Sequence, residues 1–545
     1  MKHEKSFSFS PVLFLLVALS FLACSEKLPV ISRIDPRIGQ MGEVLTIYGE
    51  NFGDSQGESY ITIAGAPPTG SSYVRWQDDS ISVRIPEFST AGLVYVHRQG
   101  RKSNPALFSN KAVIPEPVRG DETGSGPRIS SVEPQAGAIG SLVTLYGSSF
   151  GTSRENSGLW FSWDAESAPG APVEAQSPEA VEVFDVEFGY ELWSEREIRV
   201  RVPDGAASGT IEVRTPRGNS RPVFFEINGK PGTKIIRDKR SYALSYSVDI
   251  RTEDALTPNS LYLWLPRPVS SASQRNTRLL SRNTDPFVEN YRGSSLYQFI
   301  DLMPGTGRQI TLSYVTEVYA VETVLRPQGL RLDSSSPVQT VYTQPTPLIP
   351  SEDSAISAQA AAITGRERNP YLKAQRIYEW LIKELEIRAE PMAGGALEGL
   401  EEKQADSYRA ALLFCALARA SGIPAIPAAG VLVNRLRGTS RHYWAEFWID
   451  SFGWVPLDPA LGAGAAPPDF NLREDHGSYY FGNMDNQRVA FSRGETFLSQ
   501  MDPRGRTTVR TRDFAFQNLW EEAIGGLESY SSLWSDVTIT GVYVQ

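Results

Sequence analysis

The stretch Ser407-Tyr-Arg-Ala-Ala-Leu-Leu-Phe-Cys-Ala-Leu-Ala-Arg-Ala-Ser-Gly-Ile-Pro-Ala425 decides how the last part of this chain folds. Its centre is apolar on every side, which indicates a buried helix. Asp406 and Ser407 precede that centre and suit the capping of a first helical turn. Cys415 lies just over two turns into the apolar part, so we expect burial to raise the pKa of its thiol and to keep the thiol from reacting.

Two short motifs follow the helix. His442-Tyr-Trp-Ala-Glu446 lies in an alternating segment, and Gly453-Trp-Val-Pro-Leu-Asp-Pro459 comes next. If both segments are antiparallel strands joined by a tight turn, His442 and Asp458 come together. A histidine that a carboxylate orients can carry a proton for a nucleophile. Helices followed by an antiparallel sheet predict an α+β layer arrangement.

Together these segments resemble the transglutaminase-like superfamily, whose core is papain-like. In that family a cysteine stands fifteen residues before the glycine of Gly-Ile-Pro-Ala, and in this chain Ser407 stands there. The resemblance implies that Ser407, His442 and Asp458 form a candidate catalytic triad in which an alcohol replaces the thiol.

The same resemblance implies a cleft around the candidate triad. We expect Glu446 to share a sheet face with His442 and to pair with Arg441 or Arg419. The remaining candidate binding residues are the aromatic ones near the two motifs, each of which could also be a simple core residue: Trp444, Trp454, Tyr479 and Tyr480.

The serine leaves the chemistry open. An alcohol ionises several pH units above a thiol, and a helix dipole contributes only about 1 kcal/mol, so it cannot generate an alkoxide. Ser407 could act as a nucleophile only if His442 took its proton during attack. Alternatively, Ser407 only caps the helix, or does neither.

The first part of the chain contains a repeat. Ile31-Ser-Arg-Ile-Asp-Pro36 and Val44-Leu-Thr-Ile-Tyr-Gly-Glu-Asn-Phe-Gly53 recur as Ile129-Ser-Ser-Val-Glu-Pro134 and Val143-Thr-Leu-Tyr-Gly-Ser-Ser-Phe-Gly151. Alternating apolar residues between glycine turns predict half-buried antiparallel strands. The repeated segments resemble IPT/TIG domains, which are immunoglobulin-like sandwiches. The second copy carries an insertion between about residues 152 and 192.

The fold class is therefore multidomain, with all-β immunoglobulin-like sandwiches followed by an α+β papain-like domain. At 545 residues the chain is too long for a single core. Its predicted parts are a signal peptide (1–23), a lipidated tether (24–28), IPT/TIG domain 1 (29–115), a polar glycine-rich linker (116–126), IPT/TIG domain 2 (127–228), a third β-sandwich (229–345) and the transglutaminase-like domain (346–545).

The N-terminus predicts export. Lys2 and Lys5 precede a short apolar run that ends at Phe-Leu-Ala-Cys24, which resembles the lipobox of bacterial lipoproteins. Lipidation of Cys24 would anchor the protein to a membrane of the cell envelope, facing the periplasm or the cell surface. A formal net charge of −10 argues against nucleic acid as a partner. Nothing in the sequence indicates a cofactor or a metal, and a calcium requirement is not expected, because no acidic loop of the required spacing is visible.

Three functions remain in competition. The favoured one is an envelope lipoprotein whose transglutaminase-like domain binds a peptide or protein without turnover, displayed on IPT/TIG spacers. The second is an active amide hydrolase or acyl transferase that uses Ser407, His442 and Asp458. The third is a surface adhesin or scaffold that acts through its IPT/TIG domains.

Overall fold

The computed structural model describes residues 27–39, 42–63, 67–86, 92–110, 126–154, 156–163 and 180–544. Cys24 and the predicted signal peptide lie outside these residues. The chain divides into two compact units, Met1–Phe108 and Ser109–Gln545. The first repeat is a unit by itself, whereas the second repeat belongs to the same unit as everything that follows it.

The first repeat is a sandwich of two sheets, ordered β1-β3-β6-β5 and β2-β9-β7-β4, with β8 beside β7. Its core draws only on its own residues, among them Leu45, Ile47, Phe52 and Val96. Its strands are β1 (Val30–Asp35), β2 (Ile38–Gly39), β3 (Val44–Glu50), β4 (Tyr60–Ile63), β5 (Tyr73–Trp76), β6 (Ser80–Arg84), β7 (Gly92–Arg98), β8 (Arg101–Lys102) and β9 (Ala106–Asn110).

The second repeat has the same strand order, with sheets β10-β12-β16-β15 and β11-β19-β17-β13-β14 and with β18 beside β17. The short strand β14 is an addition that lies within the insertion predicted from the sequence. Its strands are β10 (Arg128–Glu133), β11 (Ala136–Gly137), β12 (Leu142–Ser148), β13 (Gly158–Trp163), β14 (Ala180–Glu182), β15 (Tyr190–Trp193), β16 (Glu197–Arg201), β17 (Ala206–Thr215), β18 (Gly218–Asn219) and β19 (Val223–Ile227).

The third β region is one eight-stranded sheet built on a 35-residue strand. Along that strand, alternate side chains such as Leu244, Tyr246, Val248 and Ile250 are buried in a single core, as the alternating sequence predicts. The first strands of this sheet are β20 (Gly232–Pro266), β21 (Gln274–Arg282), β22 (Val288–Tyr291), β23 (Ser294–Ile300) and β24 (Gly307–Leu325).

The end of the chain completes this sheet. It contributes β31 (Arg506–Thr508), β32 (Glu521–Trp534) and β33 (Thr538–Val544), and both β32 and β33 pair with β20. The sequence predicts that these residues belong to the domain that starts at residue 346. That assignment was wrong for β32 and β33, because their partners lie about 260 to 300 residues earlier in the chain, which no local pattern reveals.

Between these strands lies the α+β part. Its sheet has the order β29-β28-β27-β30. Its elements are α1 (Pro337–Tyr342), α2 (Ser354–Thr364), α3 (Pro370–Glu384), β25 (Glu386–Ile387), α4 (Ala396–Glu402), β26 (Gln404–Ala405), α5 (Ser407–Ala420), β27 (Ala425–Val433), β28 (Thr439–Ile449), β29 (Gly453–Leu457), α6 (Pro459–Gly462), α7 (His476–Tyr479) and β30 (Arg488–Arg493).

Helix α5 is the centre of this part. Its side chains from Tyr408 to Arg419 are all buried, as its apolar sequence predicts. It packs between helices α2, α3 and α4 on one side and strands β27 and β28 on the other. The first residue of α5 is therefore held in a fixed place relative to the sheet.

The second repeat shares a core with the α+β sheet. Ile426, Trp448 and Trp454 are buried in the same cluster as Phe161 and Val200 of the repeat. Polar contacts reinforce this shared core, which we call the seam: Lys234 donates from Nζ to Asp204 Oδ1 at 2.5 Å, Tyr342 donates from its hydroxyl to the Val186 carbonyl at 2.8 Å, and Trp163 donates from Nε1 to the Ala272 carbonyl at 3.0 Å.

Candidate functional site

A buried histidine–carboxylate pair lies on strands β28 and β29. His442 is on β28, and Asp458 follows β29 and caps helix α6. His442 Nε2 and Asp458 Oδ2 are 2.8 Å apart, and the two residues are 4% and 0% exposed. The structure thus brings together the two side chains that the sequence placed sixteen residues apart.

The charge of Asp458 fixes the direction of this hydrogen bond. Burial alone would raise the pKa of the carboxyl, but His442 and Arg488 beside it lower the pKa to about 2. The group is therefore a carboxylate at neutral pH and can only accept, so Nε2 of His442 donates. In the neutral ring, Nδ1 then keeps its lone pair and is an acceptor.

Three other side chains surround this pair. Arg488 donates from Nη1 to Asp458 Oδ2 at 2.9 Å and from Nη2 to Asp485 Oδ2 at 2.8 Å. Tyr480 donates its hydroxyl to the same oxygen of Asp485 at 2.9 Å. The Trp444 ring lies under the guanidinium of Arg488, 5.0 Å away. Tyr480 and Trp444, which the sequence marked as candidate binding residues, thus support the histidine–carboxylate pair.

Ser407 is the first residue of helix α5, and Asp406 is its N-cap. Asp406 Oδ1 accepts the backbone N–H of Arg409 at 2.9 Å, while Oδ2 accepts from Met392 N and from Arg512. The alternative in which Ser407 only caps the helix is therefore wrong: the carboxylate, one residue earlier, takes the N–H of Arg409, which is one of the free N–H groups of the first turn. The half-buried hydroxyl of Ser407 has no capping role.

Residues next to Ser407 in sequence contact residues next to His442, directly or through the C-terminal segment. The rings of Tyr408 and Tyr443 meet edge to face, 4.9 Å apart. Two adjacent residues of the C-terminal segment also bridge the elements: Arg512 pairs with Asp406, and Asp513 pairs with Arg441 at 3.2 Å.

The two side chains nevertheless do not bond to each other. In the described part of the chain, no hydrogen bond joins the Ser407 hydroxyl to His442. Attack by an alcohol requires this bond, because the histidine must take the proton.

The only thiol of the described residues is not part of the site. Cys415 is fully buried among the apolar residues of α5. Burial raises the pKa of its thiol to about 12, so the thiol stays protonated and unreactive at neutral pH. This agrees with its exclusion as a nucleophile from the sequence.

Glu446 pairs with a partner that the sequence did not indicate. It accepts from Arg493 on β30, with Nη2 to Oε2 at 2.6 Å, and not from Arg441 or Arg419. Arg419 instead donates to backbone carbonyls, among them that of Ala425 at 2.9 Å. The error arose because β30 is adjacent to β27 in the sheet only through long-range pairing.

Trp454 and Tyr479 lie away from the histidine. Trp454 is 2% exposed and belongs to the seam, where its ring meets those of Tyr342 and Trp448. Tyr479 is buried at the end of α7, with the guanidinium of Arg473 4.1 Å over its ring. Neither was distinguishable from a cleft residue by sequence.

Within the ranges that the structure describes, no group of three or more acidic, histidine or cysteine side chains is arranged to hold a metal ion. The same ranges contain no helix that is both long and apolar enough to cross a membrane.

Family comparison agrees with this architecture. The family model described as "Transglutaminase-like superfamily" matches residues 357–459, and the one described as "IPT/TIG domain" matches residues 29–109. The chain carries an IPT/TIG domain and a transglutaminase-like domain. The second repeat lies outside the matched residues, and its sheets follow the strand order of the first.

Curated relatives match only parts of the chain. An uncharacterized protein of Haemophilus influenzae is 28% identical over 189 residues, covering 29% of this chain and 50% of that protein. The chain therefore spans half the length of this relative. A cyclomaltodextrin glucanotransferase of Paenibacillus macerans is 27% identical over 90 residues, or 16% of this chain and 12% of the enzyme.

Solved structures are more distant. A candidate cysteine protease from Cytophaga hutchinsonii covers 57% of this chain and 93% of its own at 13% identity, with a TM-score of 0.38. The periplasmic domain of TgpA from Pseudomonas aeruginosa covers 39% of this chain and 87% of its own at 16% identity, with a TM-score of 0.23.

Sequence reasoning missed Arg488, Asp485 and the segment around Arg512. Arg488 and Asp485 lie a few residues after Tyr479 and Tyr480, the aromatic residues that the sequence marked as candidates. One signal was available: an arginine and an aspartate three residues apart in an otherwise apolar and amide-rich segment need partners if the segment is buried.

Proposed function

We propose that this protein is a cell-envelope lipoprotein whose transglutaminase-like domain binds a peptide or protein segment without turning it over. The observation that carries the proposal is the state of the three family positions. His442 and Asp458 form a buried, hydrogen-bonded pair, while the third position holds an alcohol that makes no hydrogen bond to the histidine in the described residues.

The surroundings of Ser407 favour binding over attack. The N-cap carboxylate of Asp406 lies one residue away, and a negative charge there opposes the formation of an alkoxide. The N-terminus of α5 also carries free backbone N–H groups, which suit a carbonyl oxygen of a bound peptide. The site therefore offers donors at the helix and an acceptor at His442 Nδ1.

Membrane attachment through the lipid on Cys24 belongs to the same proposal. It is supported by the charged start, the apolar run and the cysteine of the N-terminal sequence. A protein or peptide ligand in the envelope or outside the cell would then be the partner of the domain.

A second candidate function is hydrolysis or acyl transfer by Ser407. It is favoured by the intact hydrogen bond between His442 and Asp458, which is the orienting contact that a serine hydrolase needs. This function requires the Ser407 hydroxyl to approach the imidazole in a ligand complex, where such contacts tighten.

A peptide pool separates the two functions. The protein is incubated with a random peptide library, and mass spectrometry identifies both retained peptides and cleavage products. We expect retained peptides, no new termini, and a loss of retention of about tenfold in His442→Gln, because one hydrogen bond to the ligand is lost. His97→Gln in the first repeat is the matched control. Cleavage that Ser407→Ala abolishes would overturn the proposal.

A further inference from the structure

The carboxylate of Asp458 is held by three donors. Its Oδ2 atom accepts from two of them, His442 Nε2 at 2.8 Å and Arg488 Nη1 at 2.9 Å. Its Oδ1 atom accepts the backbone N–H of Leu461 at 3.0 Å. Because both oxygens are occupied from fixed directions, the carboxylate cannot rotate without breaking at least one of these bonds.

Arg488 is itself fixed on its other side. Its Nη2 atom donates to Asp485 Oδ2, which also accepts the Tyr480 hydroxyl, and Asp485 Oδ1 accepts the backbone N–H of Gln487 at 2.7 Å. The side chain of Arg488 is 4% exposed. A planar guanidinium that is bound to two carboxylates has a single orientation, which a flexible lysine would not have.

Burying Arg488 in this arrangement costs free energy of folding, so its contribution to packing alone does not account for its presence. Arg488 Nε is buried and has no hydrogen-bond partner in the described residues. A buried charged group with an unsatisfied donor opposes folding, and an apolar residue of similar volume would avoid this cost.

We infer that Arg488 is a positioning residue, which fixes the carboxylate of Asp458 and thereby holds the imidazole of His442 with Nδ1 as a hydrogen-bond acceptor. Arg488 acts through Asp458 and does not itself meet the ligand.

The effect of this positioning on ligand binding rests on the proposed function. An acceptor at Nδ1 selects a ligand group that donates, and in a peptide that group is a backbone or side-chain N–H. The acceptor of His442 and the free N–H groups at the start of α5 together match the two polar groups of a peptide bond.

The test observes the imidazole directly. The full chain is labelled with ¹⁵N-histidine and studied in detergent by NMR; the chain has four histidines, so His442→Gln identifies the signal of His442. In the unmodified protein we expect Nε2 to carry the proton, with a downfield Nε2–H signal, and Nδ1 to be of the acceptor type. In Arg488→Met we expect loss of the downfield signal and averaging of the two nitrogens between tautomers.

A second buried arginine provides the control. Arg493 lies on the same strand β30 and pairs with Glu446, not with Asp458. Arg493→Met is expected to leave the His442 signals unchanged. If Arg488→Met does not fold, Arg488→Lys decides, with an intermediate loss of the downfield signal expected, because an ammonium cannot span both carboxylates.

Two results would overturn the inference: His442 signals in the folded Arg488 variants that equal those of the unmodified protein, or the same loss in Arg493→Met. The readout needs no ligand. If the tautomer depends on Arg488 but the protein binds no peptide, the proposed function is rejected. The positioning role of Arg488 is then still supported.

Discussion

The two IPT/TIG-type repeats have the same strand order and different roles. The first buries its apolar residues in a core of its own, which includes Leu45 and Phe108. The second buries Trp448 and Trp454 of the α+β sheet in its core. Trp454 lies on β29, four residues before Asp458, so the second repeat supports the strand that leads to the candidate site. A repeated sequence thus does not imply a repeated function: one copy is a separate unit and the other is part of the scaffold.

Deleting each repeat in turn should give the largest difference in stability between the two repeats. Removal of residues 127–228 exposes Trp448, Trp454 and their neighbours, and each large apolar side chain loses about 2 kcal/mol of burial. Because a domain is stable by only about 5–15 kcal/mol, we expect no cooperative unfolding transition in calorimetry. Removal of residues 29–110 should change the melting temperature of the remainder by less than about 2 °C. Equal effects of the two deletions would reject the difference.

The buried ion pair of the seam should contribute more to stability than a lysine of the first repeat. Lys234 pairs with Asp204 at 2.5 Å and donates to the Trp454 carbonyl at 2.7 Å, with both side chains at most 10% exposed. Lys234→Met leaves the carboxylate of Asp204 buried and unpaired, so we expect a loss of about 3–5 kcal/mol in urea unfolding. Lys102→Met, whose ammonium lies over Tyr95 in the first repeat, is the control and should cost less than about 1 kcal/mol.

The seam also predicts a pH dependence of stability. Burial and the neighbouring Asp204 raise the pKa of Glu187 to about 8. The unfolded carboxyl titrates near pH 4.3, so between about pH 4.3 and 8 the folded state binds one more proton than the unfolded state. Stability of the larger unit should therefore fall as pH rises through this window, by at most about 1.4 kcal/mol per pH unit.

Glu187→Gln tests this assignment. The amide does not titrate, so the slope of unfolding free energy against pH should become flatter in this window. An unchanged slope would show that another group is responsible.

Trp76 and Trp193 occupy equivalent positions in the two repeats, and their substitution should have the smallest effect on stability. Trp76 Nε1 donates to the Phe52 carbonyl and Trp193 Nε1 to the Phe150 carbonyl, both at 3.1 Å. Each Trp→Phe change removes this hydrogen bond, which costs about 1 kcal/mol. We expect Trp193→Phe to shift the transition of the larger unit and Trp76→Phe to shift only that of the first unit. Movement of both transitions by either variant would contradict the division.

Much of the candidate site could be predicted from local sequence. The resemblance to the transglutaminase-like superfamily implied Ser407 at the start of the buried helix, and the two motifs placed His442 beside Asp458. The apolar surroundings of Cys415 predicted its burial correctly. These features depend on periodicity and on short-range geometry, which a sequence displays directly.

The remainder depends on pairing between distant segments. Arg488 meets Asp458 because β30 lies beside β27, and β32 and β33 complete the sheet of β20 from the far end of the chain. The core that the second repeat shares with the α+β sheet could not be predicted for the same reason. The sequence around Trp454 is the same whether its side chain lines a cleft or packs in a core.

The most direct test of the central claim is covalent labelling of Ser407. The protein is treated with a fluorophosphonate, which reacts only with an activated serine, and the modified residue is identified by peptide mass spectrometry in the unmodified chain and in His442→Ala. We predict no labelling of Ser407 in either form, because no hydrogen bond in the described residues joins its hydroxyl to His442, the base that would take its proton. Stoichiometric labelling of Ser407 that disappears in His442→Ala would contradict the account and establish a serine nucleophile.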